Sequence, residues 1–557
     1  MARTIQICNL RAAFFLGVAL ISSTPVLAIP DDPVDIDGYF GARLAEIGNR
    51  QNTALKGYLA LFKKQGASEV LADRIYASAI REGDLQSALR AVRAQELRNA
   101  VSPEGPLLLF TDAFKRKNWA MANVAASELQ ARSNFGFMAP ILKEWVNVAQ
   151  GKASNLAASN PKVDPYFAYY SIDQRVYLAL AAGQLDAAKL GLTGLAGVDD
   201  EFVRDLAIRA APIFAANGDK VEAASILQSA VERDYGEALL KTSKGEDAAN
   251  FLPEEALAAL NVRVARTLLE QKNGEKALVF ARIAQWLAPK NDSAKLILSQ
   301  VLNDQGLADA AVGALETISP SSPYWPRAVS DKVRLLLAND KRTQAVSTAS
   351  AARTLRPNSG NLALVAAQTF EEAGNLKVAT AAYAKLVSDA DTARATAQQR
   401  ALYRLFLATV QDKTGDWASA RKNLEDARGI DPTNPFVLNY LGYGLLERHQ
   451  EVSKALDYLK AAFKLAPESM AIADSLGWGY FLNGDYVRSV PLLETAAKTS
   501  GNDITINEHL GDAYWLSGRF IDARYAWSVA AQTAMNQDAT RLKGKIDTGL
   551  DRPTAAP

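Results

Sequence analysis

The chain has 557 residues, 49% of them hydrophobic and 22% charged, and its 62 basic and 61 acidic side chains nearly cancel. That balance excludes a disordered polyelectrolyte. With no basic stripe it also argues against a nucleic-acid partner and a polybasic membrane patch.

The first 28 residues read as an export signal. Arg3 and Arg11 accompany an apolar run from Ala12 to Ile21, no acid precedes Asp31, and Val26 and Ala28 set up cleavage after Ala28. The run is too short to span a bilayer. Cys8, the sole cysteine, precedes the run, whereas a lipid-anchor cysteine would follow it. The exported chain is therefore expected without cysteine, which removes disulfides and thiolate chemistry. Loss of two arginines with the leader leaves the chain one charge negative. The expected location is the bacterial periplasm, with full secretion left open and membrane association only indirect.

Beyond the leader a small residue recurs. Ala54, Ala88 and Ala122 are 34 apart, and Ala188 and Ala223 are 35 apart. Ala277, Ala311, Ala345 and Ala379 step by 34, and Ala420, Ala455, Ser489 and Ala523 by 35, 34 and 34. Such a period is the signature of a solenoid built from one supersecondary unit. Five residues before the ladder stand Gly83, Gly183, Gly218, Gly306, Gly374, Gly415, Gly484 and Gly518, at the turn between two helices. Pro289, Pro323, Pro357, Pro432 and Pro467 follow by about twelve residues and end the second helix. Between these marks apolar residues are spaced by three and four, as in Val490, Leu493 and Ala497. Helices this short need neighbours to bury their apolar faces.

The gap of 66 residues from Ala122 to Ala188 has room for a further pair around Gly151, which brings the expectation to about 13–14 antiparallel pairs. Ala223 to Ala277 spans 54 residues and Ala379 to Ala420 spans 41, which mark an insertion and a lengthened helix or connection. The predicted organisation is a leader over 1–28, divergent repeats over 29–234, a connector over 235–257, central repeats over 258–391, C-terminal repeats over 392–536, and a capping helix with a disordered tail over 537–557.

Three C-terminal segments carry a recognisable pattern: "LGYGLLERHQEVSKALDYLKAAFKLAP", "DSLGWGYFLNGDYVRSVPLLETA" and "EHLGDAYWLSGRFIDARYAWSVA". They resemble the tetratricopeptide repeat (TPR) family on Leu441, Gly442, Ala455, Ala462 and Pro467, on Leu476, Gly477, Tyr480, Gly484, Tyr486 and Ala496, and on Leu510, Gly511, Tyr514, Gly518, Phe520, Ala523 and Ala530. The resemblance implies an all-α, right-handed α-solenoid that binds proteins. It also implies that the second, fifth, ninth and twelfth residues of each first helix line a concave groove. Those positions are Phe436, Asn439, Tyr443 and Leu446, then Ala471, Asp474, Trp478 and Phe481, then Thr505, Glu508, Asp512 and Trp515. Aromatics there supply contact area and polar groups set orientation, which suits an extended peptide or a partner helix. The same segments resemble bacterial envelope TPR proteins, among them the adaptor lipoprotein of a carboxyl-terminal processing protease. That likeness implies a scaffold for envelope proteins.

Signals for chemistry are sparse. His449 and His509 fall in different repeats, and without a cysteine in the exported chain no zinc site is expected. There is no phosphate-binding Gly-x-x-x-x-Gly-Lys loop and no Gly-x-Ser-x-Gly elbow. No cofactor or metal is expected, and the chain reads as a non-enzyme. Two alternatives stay open: a scaffold in polysaccharide export, whose groove aromatics would meet sugar rings, and a hydrolase using Asp474 and Glu508 as paired carboxylates.

Overall fold

The computed structural model describes residues 35–550 apart from 66–67, 99, 155, 157–163, 196, 199, 229 and 243–251. The leader with its cleavage position at Ala28 and the tail 551–557 lie outside the described residues.

Among the described residues there are 29 α-helices and no strand. Eleven precede the break in the ladder: α1 (Ile36–Ile47), α2 (Gln51–Gln65), α3 (Glu69–Glu82), α4 (Leu85–Glu96), α5 (Gly105–Lys115), α6 (Trp119–Arg132), α7 (Ala139–Ala149), α8 (Pro165–Ala181), α9 (Leu185–Gly194), α10 (Glu201–Ala216) and α11 (Lys220–Leu227). Then come α12 (Arg233–Thr242), α13 (Pro253–Glu270), α14 (Gly274–Leu287), α15 (Asp292–Asp304), α16 (Ala308–Glu316), α17 (Trp325–Ala338), α18 (Arg342–Leu355), α19 (Gly360–Glu372) and α20 (Leu376–Thr392). The last nine are α21 (Ala397–Lys413), α22 (Trp417–Ile430), α23 (Pro435–Glu447), α24 (Val452–Leu465), α25 (Met470–Leu482), α26 (Tyr486–Ser500), α27 (Ile504–Leu516), α28 (Phe520–Ala531) and α29 (Asn536–Thr548). Among the described residues these form thirteen antiparallel pairs, and α7, α12 and α29 fall outside them. The room for a pair around Gly151 holds α7.

Every ladder residue lies in the second helix of its pair and is 0% exposed. A small side chain there lets the helices of a pair close on each other, and a larger one would overpack the contact. Five residues upstream the backbone turns left-handed at twelve of the thirteen positions. Eight are the glycines named above, and the others are Asn49, Lys117, Lys272 and Asp340, with φ of 58°, 56°, 58° and 55°. Before Ala455 the extra residue moves the turn to His449 and Glu451. The turn geometry thus persists where glycine is missing, at a cost of about 1 kcal/mol per residue.

The chain forms two compact units: Met1–Val231 with Leu240–Ala314, and Glu232–Leu239 with Leu315–Pro557. The predicted connector 235–257 contains most of α12 and the first turn of α13, and α13 to α15 belong to the first unit.

In the first unit α13 and α14 lie against the first helices of earlier pairs. Arg282 donates to the carbonyls of Ile80 at 3.0 Å and Arg81 at 2.6 Å, and the Trp286 indole donates to Gly83 at 3.1 Å. Phe280 packs 4.6 Å from Phe135. Arg263 pairs with buried Asp173 and lies over the rings of Tyr169, Tyr170 and Phe202. Ala256 to Ala265 is buried throughout, its apolar residues interrupted only by Asn261 and the paired Arg263.

In the second unit the two largest apolar cores lie between α21 and α29. One is centred on Leu424, Leu441 and Leu459, the other on Leu493, Trp527 and Leu542. Glycines allow the closest helix contacts: a Cβ at Gly477 would lie 2.8 Å from Leu493, and one at Gly511 would lie 2.3 Å from Trp527.

Candidate functional site

The predicted groove residues sit on α23, α25 and α27. Asn434 caps α23 by accepting from the amides of Phe436 and Val437, and Asp503 caps α27 by accepting from Ile506. These caps fix where each helix starts and so which residues face inward.

On α25 and α27 the inward side chains meet one another. His509 Nδ1 lies 3.0 and 3.1 Å from the two carboxylate oxygens of Asp474. The imidazole stacks on Trp478 at 4.0 Å, and Trp478 stacks on Phe481 at 4.4 Å. Glu508 accepts a two-pronged bond from Arg541 at 2.8 and 2.7 Å, and a third bond from Lys545 at 2.6 Å. Lys545 also reaches both oxygens of Asp512 at 2.9 Å, and the Trp527 indole donates to Asp512 at 2.9 Å. Burial pushes the Glu508 carboxyl up, but the bonds from Arg541 and Lys545 outweigh it and hold it below the ordinary glutamate value.

The structure therefore corrects the groove prediction at six positions. Leu446, Asp474, Trp478, Phe481, Glu508 and Asp512 are buried. On α27 the reason is α29, which lays Arg541, Leu542 and Lys545 on the inner face of the last pair. On α25 it is His509 over Asp474 and Trp478, with Phe481 stacked beyond. Leu446 belongs to the core around Leu441. Arg541 and Lys545 are four apart, as are Glu508 and Asp512, so one turn of each helix matches the other. That complementarity was readable in the sequence but was missed. Trp515 is half-buried, edge-on to Phe520 at 4.6 Å and beneath Arg524.

The other α23 positions stand apart. Phe436 is 56% exposed, and Asn439 and Tyr443 are half-buried. The side-chain oxygen of Asn439 has no hydrogen-bond partner among the described residues. Burial, then the nearby carboxylates Glu447 and Asp474, raise the Tyr443 phenol far above its ordinary range, so it stays a neutral donor. The same count from the ladder, carried upstream, selects Arg327 and Arg334 on α17 and Asn361 on α19, all exposed. Among the described residues no group of three or more His, Cys, Asp or Glu is placed to hold a metal ion, and no helix is long and apolar enough to cross a membrane.

No family profile matches the chain. A segment of 73 residues, 13% of this chain, is 36% identical to the TPR repeat-containing protein PA4667 of Pseudomonas aeruginosa and spans 12% of that protein. This match joins the helix pairs, the buried small-residue ladder and the left-handed turns already described. The repeats are tetratricopeptide repeats. Similar solved structures include the APC/C hetero-tetramer Cut9–Hcn1, with 15% identity, a TM-score of 0.38 and coverage of 92% of this chain and 96% of that one. Pseudomonas aeruginosa pilF follows at 17% identity, a TM-score of 0.30 and coverage of 40% and 97%. Yeast Tom70 stands at 13% identity, a TM-score of 0.28 and coverage of 92% and 95%. Likenesses this distant carry no argument about partner or activity for the TPR chain.

Proposed function

We propose that this TPR chain is a periplasmic scaffold that holds another envelope protein on the first-helix face of its second unit, from α17 to α23. One observation carries the reading: Phe436 stands 56% exposed on the first-helix face, one turn from half-buried Asn439. An exposed aromatic on a helix face suits a peptide segment or partner helix that brings an apolar side chain. The export leader read in the sequence supports the location. The carboxylates a hydrolase would need support a non-catalytic reading, because Asp474 is engaged by His509 and Glu508 by two cations of the same chain.

A photoreactive residue at Phe436, compared with one at Trp478, tests this in living cells. Position 436 should give an adduct to a second protein and position 478 only adducts within the chain. Position 436 yielding no adduct to another protein removes the proposal.

A further inference from the structure

The first helix carries four large apolar side chains in water. Ile36, Phe40, Leu44 and Ile47 are 60%, 55%, 59% and 72% exposed. At about 100° per residue they fall in one stripe roughly 80° wide. Ala42, Ala45 and Glu46, which α1 buries, lie on the opposite side of the helix.

This helix is firmly held. The Asp35 carboxylate caps it through the Gly38 amide at 3.0 Å and binds Lys64 at 2.9 Å. Glu46 accepts from the Tyr58 hydroxyl at 2.5 Å and from Arg74 at 3.3 Å. Gly57 lets α2 close on Ala42, where a Cβ would come within 2.9 Å. The apolar stripe is therefore presented in a fixed conformation, which lowers the ordering cost of docking. Its exposed area is on the order of 450 Å², as large as the biggest patch of a typical monomer and often functional.

We propose that this stripe is a homodimer interface, with α1 of one chain lying antiparallel on α1 of a second copy about a two-fold axis. Reversing the stripe sets Ile36 opposite Ile47 and Phe40 opposite Leu44, so each apolar residue lands on an apolar residue of the other copy. That self-complementarity is what an isologous contact requires. Charge gives little to any other partner: Asp37 and Arg43 flank the stripe, and Arg43 is already paired with Glu46 at 2.7 Å. Two stripes with their rims would bury roughly 1,200 Å², the lower limit for a specific interface. The dimer is accordingly reversible and concentration-dependent.

Sedimentation velocity of the full exported chain over a concentration series tests this. The wild type should shift from monomer to dimer mass as concentration rises. Phe40→Glu with Leu44→Glu should stay monomeric at every concentration with unchanged helical circular dichroism, and Val487→Glu, at another exposed apolar position, should behave as wild type. A wild type that never dimerises, or a dimer that survives the double substitution, overturns the proposal. Should the double variant lose helicity, register decides. In the exported chain, which lacks Cys8, an oxidised mixture of Phe40→Cys and Leu44→Cys chains should form mixed disulfides in preference to either homodimer, and no such preference overturns it. A photoreactive residue at Phe40 that captures a different protein also overturns it and assigns the stripe to that occupant.

Discussion

Lys545 reaches across from the last helix to place its ammonium 2.6 Å from Glu508, and both side chains are shut away from water. The same ammonium neutralises Asp512, so one cation answers two buried acids on consecutive turns of α27. Pairing of this kind gives modest net stability while complete, and breaking it is costly because a charge is left buried alone.

Lys545→Met should therefore destabilise the end of the second unit by about 3–5 kcal/mol. Hydrogen exchange should show the loss in α27 to α29 and leave α17 to α20 protected, since repeats couple mainly to their neighbours.

Acid should weaken the grip of α29. The Glu508 carboxyl sits below its ordinary value when folded. Its contribution is thus complete above the unfolded value of about 4.3 and is lost as pH falls through the lower folded one. Amide protection in α29, taken relative to intrinsic exchange at each pH, should fall as pH drops below about 4.3, ahead of that in α23. Equal loss of protection in the two helices would contradict this.

The left-handed turns predict opposite signs for opposite substitutions. Lys272→Gly or Asp340→Gly should stabilise by about 0.5–1 kcal/mol, and Gly374→Ala should destabilise by about 1 kcal/mol. All three positions are exposed, so packing should not mask the backbone effect. Thermal unfolding of the single variants measures it.

Phe436 and Trp478 separate binding from folding. Phe436→Ala should weaken partner capture at least tenfold with the fold intact, as for an exposed aromatic anchor. Trp478→Ala should cost about 3–5 kcal/mol of stability, as for a core aromatic. Titration of the captured partner and urea unfolding give the two readouts.

The architecture was legible because it repeats. Ala54 to Ala523 fixed where each second helix lies, and the glycines fixed the turns. Two features were not legible, and both are contacts without periodicity. The packing of α13 and α14 on earlier first helices depends on Arg282 meeting the carbonyls of Ile80 and Arg81, about two hundred residues away in sequence. The register count that found Phe436, Asn439 and Tyr443 also selected Trp478 and Glu508. Counting cannot tell an open inner face from one covered by a helix outside the period. A hint was present in the matched spacing of Glu508 and Asp512 with Arg541 and Lys545.

Placing α29 over α27 has a consequence for what the end of the chain displays. Cleavage between Thr533 and Asn536 would carry away both cations and leave Glu508 and Asp512 facing solvent beside Trp515. A single proteolytic nick would thus exchange a sealed terminus for an acidic, aromatic mouth.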